Sequence, residues 1–105
     1  MPFGFPIATG TNLMATANSI AVAIRTVVEQ VGVAYEGWRI GITHDPQHRQ
    51  REWQSKGHAT GGWRLWQADT LSDAEAVEAH FIRAGMNGGT GGGCSPFRPV
   101  FVYIF

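Results

Sequence analysis

The residues of this chain best suited to chemistry stand in and just after Trp38-Arg39-Ile40-Gly41-Ile42-Thr43-His44-Asp45-Pro46, with Arg49 following. A short apolar run reaches a glycine, turns through Thr43 and Asp45-Pro46, and enters a helix whose first turn carries a cation. That order sets a guanidinium beside a strand end, where its planar fork can grip two phosphate oxygens. Glu78 stands on a later helical stretch, Val77-Glu78-Ala79-His80-Phe81-Ile82, and Asn87 follows it. A divalent ion held by a carboxylate supplies Lewis acidity and lowers the pKa of its bound water. Magnesium keeps several of its waters, so a single protein carboxylate is enough to recruit it beside a substrate phosphate. One strand-end Arg, one helical Glu and one late Asn are thus the ingredients of a small metal-assisted phosphodiesterase site. Mg2+ or Mn2+ is the expected cofactor.

These side chains need elements to position them. From Asn12 to Val31 the apolar residues Leu13, Ala17, Ile20, Ile24, Val27 and Val31 fall at helical spacing. Thr11 or Asn12 is the expected N-cap and Gly32 the stop. The β-branched residues of this stretch favour strand intrinsically, but length and periodicity decide for helix. Gly32 to Glu36 reads as a connection or short strand, and Trp38 to Ile42 as a strand. Asp45 caps the next helix and Pro46 opens it, since Pro has no N–H to leave unpaired; that helix runs to about Lys56. Trp63 to Ala68 reads as a strand. Ser72-Asp73-Ala74-Glu75 reads as a capping box, with Glu75 reaching back to Ser72. The helix it opens buries Ala74, Val77, Phe81 and Ile82 and ends at Gly85. Six of the nine residues from Gly85 to Gly93 are glycine, so that stretch reads as loop. Val100 to Phe105 closes the chain as a strand. The expected fold is α+β, a small three-stranded mixed or antiparallel sheet flanked by helices. It forms one domain over residues 1–105, with an N-terminal helical extension at about 11–31.

The stretch Ile40-Gly41-Ile42-Thr43, then Asp45-Pro46 and Arg49, resembles the second signature of the GIY-YIG nuclease family. There a Tyr-Ile-Gly strand leads through a short turn to a helix bearing the catalytic Arg. The resemblance runs from Trp38 to Asn87 and aligns Gly41 with the signature Gly, Thr43 with the turn Thr and Arg49 with the catalytic Arg. Val77-Glu78 followed by Phe81-Ile82 is similar to the family's metal-binding helix, which makes Glu78 the metal ligand, and Asn87 matches the Asn after that helix. Both signature tyrosines are absent from their expected positions. Arg39 stands at the second, with Trp38 beside it, and the chain is helical where the first strand should lie. A rearranged sheet in which Val100 to Phe105 fills the missing strand's place makes Tyr103 the stand-in for the first tyrosine; otherwise Tyr103 is a core or edge residue anchoring the last strand. The resemblance implies catalytic Arg49, Glu78 and Tyr103, with Arg39, Thr43, Asn87 and Trp38 as substrate contacts. It implies hydrolysis of DNA phosphodiesters, or, since the tyrosines are displaced, an inactive module of the same shape that binds nucleic acid or a protein. Small stand-alone domains of this kind fit a phage or mobile element.

Composition bounds these readings. The chain has 105 residues, 44% of them hydrophobic, enough to bury the core of one small domain. Eight cations balance eight anions, so non-specific affinity for nucleic acid is expected to be weak. The balance is local: Arg39, Arg49, Arg51, Lys56 and Arg64 cluster against Asp45 and Glu52, while Asp69 to Glu78 holds four acids and no cation. Trp63 and Trp66 point to opposite strand faces, and an exposed Trp beside Arg39 or Arg64 could stack on a nucleobase. Cys94 is alone, which excludes a disulfide framework and a thiolate cage and suits a reducing cytoplasm. No apolar run is long enough to span a membrane and no signal peptide is read at the start, so the expected setting is cytoplasmic. The N-terminal helix is a candidate homodimer surface.

Overall fold

In a computed structural model, residues 14–89 and 93–105 are described. Helix α1 (Ala17–Val31) is followed by a 3-10 turn at Tyr35–Gly37 and strand β1 (Arg39–Thr43). Helix α2 (Pro46–Ser55), strand β2 (Arg64–Ala68), helix α3 (Leu71–Ala84), a two-residue strand β3 (Asn87–Gly88) and strand β4 (Val100–Ile104) complete the order. The strands form one four-stranded mixed sheet in the order β2-β4-β1-β3. The α+β class is as expected, but the strand count among the described residues is four rather than three. The extra strand lies in the glycine-rich stretch read as loop. It runs parallel to β1, with Arg39 opposite Asn87 and Ile40 opposite Gly88. Such a short strand carries no alternation of its own and borrows its geometry from β1.

The closing strand is central. β4 pairs antiparallel with β1, setting Gly41 opposite Tyr103, and antiparallel with β2, setting Leu65 opposite Tyr103. Because side chains alternate along a strand, the sheet has two differently used faces. Ile40, Ile42, Val100, Val102 and Ile104 are buried in the main core with Ile20, Ile24 and Val28 of α1 and Ala74, Val77 and Phe81 of α3. Burying each of the large apolar side chains is worth roughly 1.5–3 kcal/mol, which is what fixes α1 and α3 to the sheet. The face of α1 carrying Ile20, Ile24 and Val28 is therefore spent within the chain and is not open to a second copy. Tyr103 and Gly41 belong to the other face, where α2 lies.

Helix ends differ from the sequence reading by a few residues. α1 begins at Ala17 with Thr16 as its cap, its hydroxyl accepting from the Ser19 N–H, whereas the expected caps Thr11 and Asn12 lie outside the described residues. It stops at Gly32, whose φ of 82° is the left-handed conformation that favours glycine. Ala15, just before α1, bonds across to the β2 end through Gln67 and Asp69. α2 is capped by Asp45, which accepts from the His48 N–H.

α3 starts at Leu71, two residues earlier than read. Thr70, not Ser72, is the cap: its side chain accepts from the Asp73 N–H and donates to the Asp73 carboxylate. Asp73 also accepts from the Ala17 N–H, tying the starts of the two helices together. Serine is intrinsically the slightly better cap, so the choice of Thr70 follows from where β2 delivers the chain. Ile82, expected on the apolar face, is 36% exposed. Thr70→Ala is expected to cost about 1 kcal/mol in chemical denaturation and Ser72→Ala close to nothing; equal effects would return the cap to Ser72.

Candidate functional site

At the β1 edge, beyond the short reach of β3, lies a cavity of about 100 Å3 lined by Ile40, Gly41, Ile42, Arg49, Trp53, Glu78, Gly89 and Tyr103. It admits about three waters, or one small tetrahedral group, and a larger substrate would lie across its mouth. Three elements supply the polar groups. α2 brings Arg49 and Trp53, one helical turn apart and therefore on one face. β4 brings Tyr103, and α3 brings Glu78 from the other side of the sheet. The guanidinium and the carboxylate of the sequence reading thus share one concave surface.

Tyr103 is 2% exposed and lines the cavity. The hydroxyl accepts a 2.9 Å hydrogen bond from the Trp53 indole N–H and a long one, 3.5 Å, from Arg49 Nη1. Its ring is stacked on Trp63 at 4.5 Å with planes 10° apart. Across the ladder Gly41 leaves the space the phenol needs, because a Cβ there would collide with the Tyr103 hydroxyl and ring. The glycine of the apolar run is therefore what lets a tyrosine lie flat across β1.

Arg49 is held at one end and loose at the other. Its Nε donates to Glu52 at 2.9 Å, while the 3.5 Å contact to Tyr103 is at the limit of a hydrogen bond. Glu52 is also 3.4 Å from His48. About a third of the Arg49 side chain remains exposed (34%), enough for its Nη groups to meet an incoming anion. Burial alone would lower its pKa, but the Tyr103 hydrogen bond and the fields of Tyr103 and Glu52 outweigh it and push it up. The guanidinium is charged at any working pH.

Glu78 is half-buried and takes part in neither ion pair formed among the described residues. Burial raises its pKa first and the neighbouring Glu75 raises it further, with Arg49 pulling it back only in part. Among the described residues it has no side-chain hydrogen-bond or ion-pair partner. Among the described residues no three His, Cys, Asp or Glu side chains are grouped to cage a metal ion. One such carboxylate fits a hard cation that retains its own waters, such as Mg2+ or Mn2+, and does not fit a zinc cage.

The other four candidate residues lie outside this cavity. Trp38 is 6% exposed and its indole N–H donates to the Val33 carbonyl. Thr43 is buried, its hydroxyl accepting from the Asp45 N–H in the turn before α2. Asn87 donates to the Glu36 and Trp38 carbonyls and so clamps β3 onto β1. Arg39 starts β1 with its guanidinium 4.6 Å above the Trp53 ring. Each of these has a visible task in holding the β1 region.

Two contributors escaped the sequence reading. Trp53 was legible only as the residue one turn beyond Arg49. His44 ties the last loop to β1: its Nδ1–H donates to the Pro99 carbonyl and its Nε2 accepts from the Ser95 N–H, both at 2.7 Å. That loop carries Cys94, half-buried, whose thiol burial pushes up, with Arg49, Glu78, Glu75 and Arg98 adding opposed smaller effects. A thiol raised in this way is unreactive. Comparison of the chain with protein-family models, with curated proteins and with solved structures returns no match.

Proposed function

We propose that the chain is a GIY-YIG-like, metal-dependent nuclease that hydrolyses DNA phosphodiesters, with β4 standing where the family's first signature strand would be. The observation that carries this reading is the convergence of Arg49, Tyr103 and Glu78 on one small cavity at the β1 edge. The reaction needs a water oxygen to bond to phosphorus while an ester P–O bond breaks, giving a phosphate monoester and an alcohol. A divalent ion recruited by Glu78 would neutralise phosphate charge and activate a water.

The chain's own groups do the rest. Arg49, steadied through Nε by Glu52, turns its Nη groups to two phosphate oxygens, and its charge is matched best when negative charge on those oxygens grows. Moving to the phosphate breaks only its weakest contact, the one to Tyr103. That frees a lone pair on the Tyr103 oxygen to accept from a water, while Trp53 keeps the phenol in place. Gly41 and the Trp63 stack prevent the ring from turning away.

Purified protein is expected to cut DNA with Mg2+ or Mn2+ and to stop when the metal is chelated. Arg49→Ala should lower the rate by about 10²–10³-fold, the usual cost of removing one preorganised charge-stabilising donor. Cleavage that survives both Arg49→Ala and loss of the Glu78 carboxylate would end the assignment.

A further inference from the structure

We propose that the cationic, aromatic groove next to this cavity holds an unpaired base, so that the substrate class is single-stranded DNA; its role as a substrate site rests on the nuclease reading. The groove has a volume of about 220 Å3 and is lined by Arg39, His58 and Phe105 among others. It is joined to the cavity through Trp53, which lines the cavity and packs against Arg39, His58 and Phe105 of the groove. The Trp53 indole N–H holds Tyr103 in the cavity, and its ring carries two cations, Arg39 at 4.6 Å and Lys56 Nζ at 5.0 Å. Neither cation forms an ion pair among the described residues. Glu36, the acid on the adjoining turn, has its carboxylate beside Gly85. Two cations positioned by cation–π contact, with no ion-pair partner among the described residues, are a preorganised place for phosphate.

The rings provide the second half of the argument. His58 stands edge-on to Trp53 and to Phe105, at 5.0 and 6.1 Å between centroids. Phe105 is half-buried and continues the stack of Trp63 and Tyr103. A base out of its helix offers its π-face to such rings whatever its identity. Bases inside a duplex offer only their edges, whereas a groove of about 220 Å3 has room for one planar base. Arg39 and Gly41 are two residues apart on one strand face, about 7 Å. A base in the groove therefore places a backbone phosphate of the same strand at the cavity mouth. The neutral chain points the same way: with few cations it cannot neutralise the phosphates of a long duplex footprint, so stacking must supply part of the affinity.

The test is fluorescence anisotropy of the full chain with fluorescein-labelled oligothymidylate and with the matching duplex, both in EDTA so that no metal-dependent cutting occurs. The single strand is expected to bind about tenfold tighter or more. Phe105→Leu, which keeps the apolar bulk and removes the π-face, should weaken single-strand binding at least about fivefold. The double change Arg39→Ala with Lys56→Ala should weaken it and lower the log–log salt slope by about 0.7 for each cation lost. Thermal melts of each variant separate lost binding from lost folding, and a variant that fails to melt cooperatively is replaced by Lys56→Ala alone, with the same slope criterion. Equal affinity for duplex, or unchanged affinity in folded variants, would overturn the groove assignment. Single-strand preference without turnover in Mg2+ would remove the nuclease reading and keep the groove; turnover without preference would do the reverse.

Discussion

Glu78→Gln is expected to abolish metal-dependent cleavage and, at neutral pH, to leave the protein slightly more thermostable than the parent. The first effect, at least about 100-fold, follows because the amide keeps the shape but loses the charge that recruits the cation. The second follows from the direction of the Glu78 shift. Burial and Glu75 raise its pKa above the ordinary 4.5. The folded state therefore binds that proton more readily than the unfolded chain does. The stability this contributes is fully present below the unfolded pKa and is lost as pH rises through the folded value. Gln has no proton to lose. The difference in Tm between Glu78→Gln and the parent should accordingly be near zero in strong acid, open through mild acid and level off towards neutrality. It should amount to a few degrees at most, because a half-exposed carboxylate is partly screened by water. Added Mg2+ or Mn2+ should raise the Tm of the parent more than that of the variant, which reports metal binding without any cleavage assay. A variant less stable than the parent at neutral pH would mean that the carboxylate is tied into the fold, and would remove it from the site.

Gly41→Ala should destabilise the protein by about 1–3 kcal/mol, the usual cost of forcing an atom into a packed interior. It should also suppress cleavage. A methyl on β1 would run into the Tyr103 ring and hydroxyl. That ring cannot step aside, since it is buried, stacked on Trp63 and bonded to Trp53. Gly41 is not among the glycines with positive φ, so the backbone itself accepts alanine. The cost therefore belongs to the pair, and a double-mutant cycle isolates it. In a Tyr103→Ala background the same Gly41→Ala change should cost little or even stabilise, because alanine loses less backbone entropy than glycine in a strand. Additive effects at the two positions would show that the phenol does not depend on this glycine.

The parts of the fold legible beforehand are those that local chemistry dictates. Asp45-Pro46 opens α2 because an Asx cap followed by a residue without an N–H has few alternatives. Gly32 ends α1 because glycine adopts the left-handed turn at little cost, having no Cβ to clash. The run to Gly41 and the unbroken β-branched and aromatic run of the last strand likewise announce strands by themselves. Where two hydroxyl caps stand two residues apart, as Thr70 and Ser72 do, the small local preference for serine does not decide. The same holds for Asn87–Gly88, which is a strand only because β1 lies beside it.

What the amino-acid order determined on its own is thus the set of groups, Arg49, Glu78 and Tyr103, and the elements that carry them, since helix and strand periods are properties of neighbouring residues. Which of those groups meet was decided by the tertiary structure alone. β4 inserts between β1 and β2, and that brings Tyr103 from the end of the chain across Gly41 to Arg49. The same packing buries Trp38 and engages Thr43 and Asn87 in backbone hydrogen bonds, drawing them away from the cavity. The reason is physical: strand pairing across long sequence separations is selected by the total burial of a sheet face, a quantity that no short stretch of residues contains.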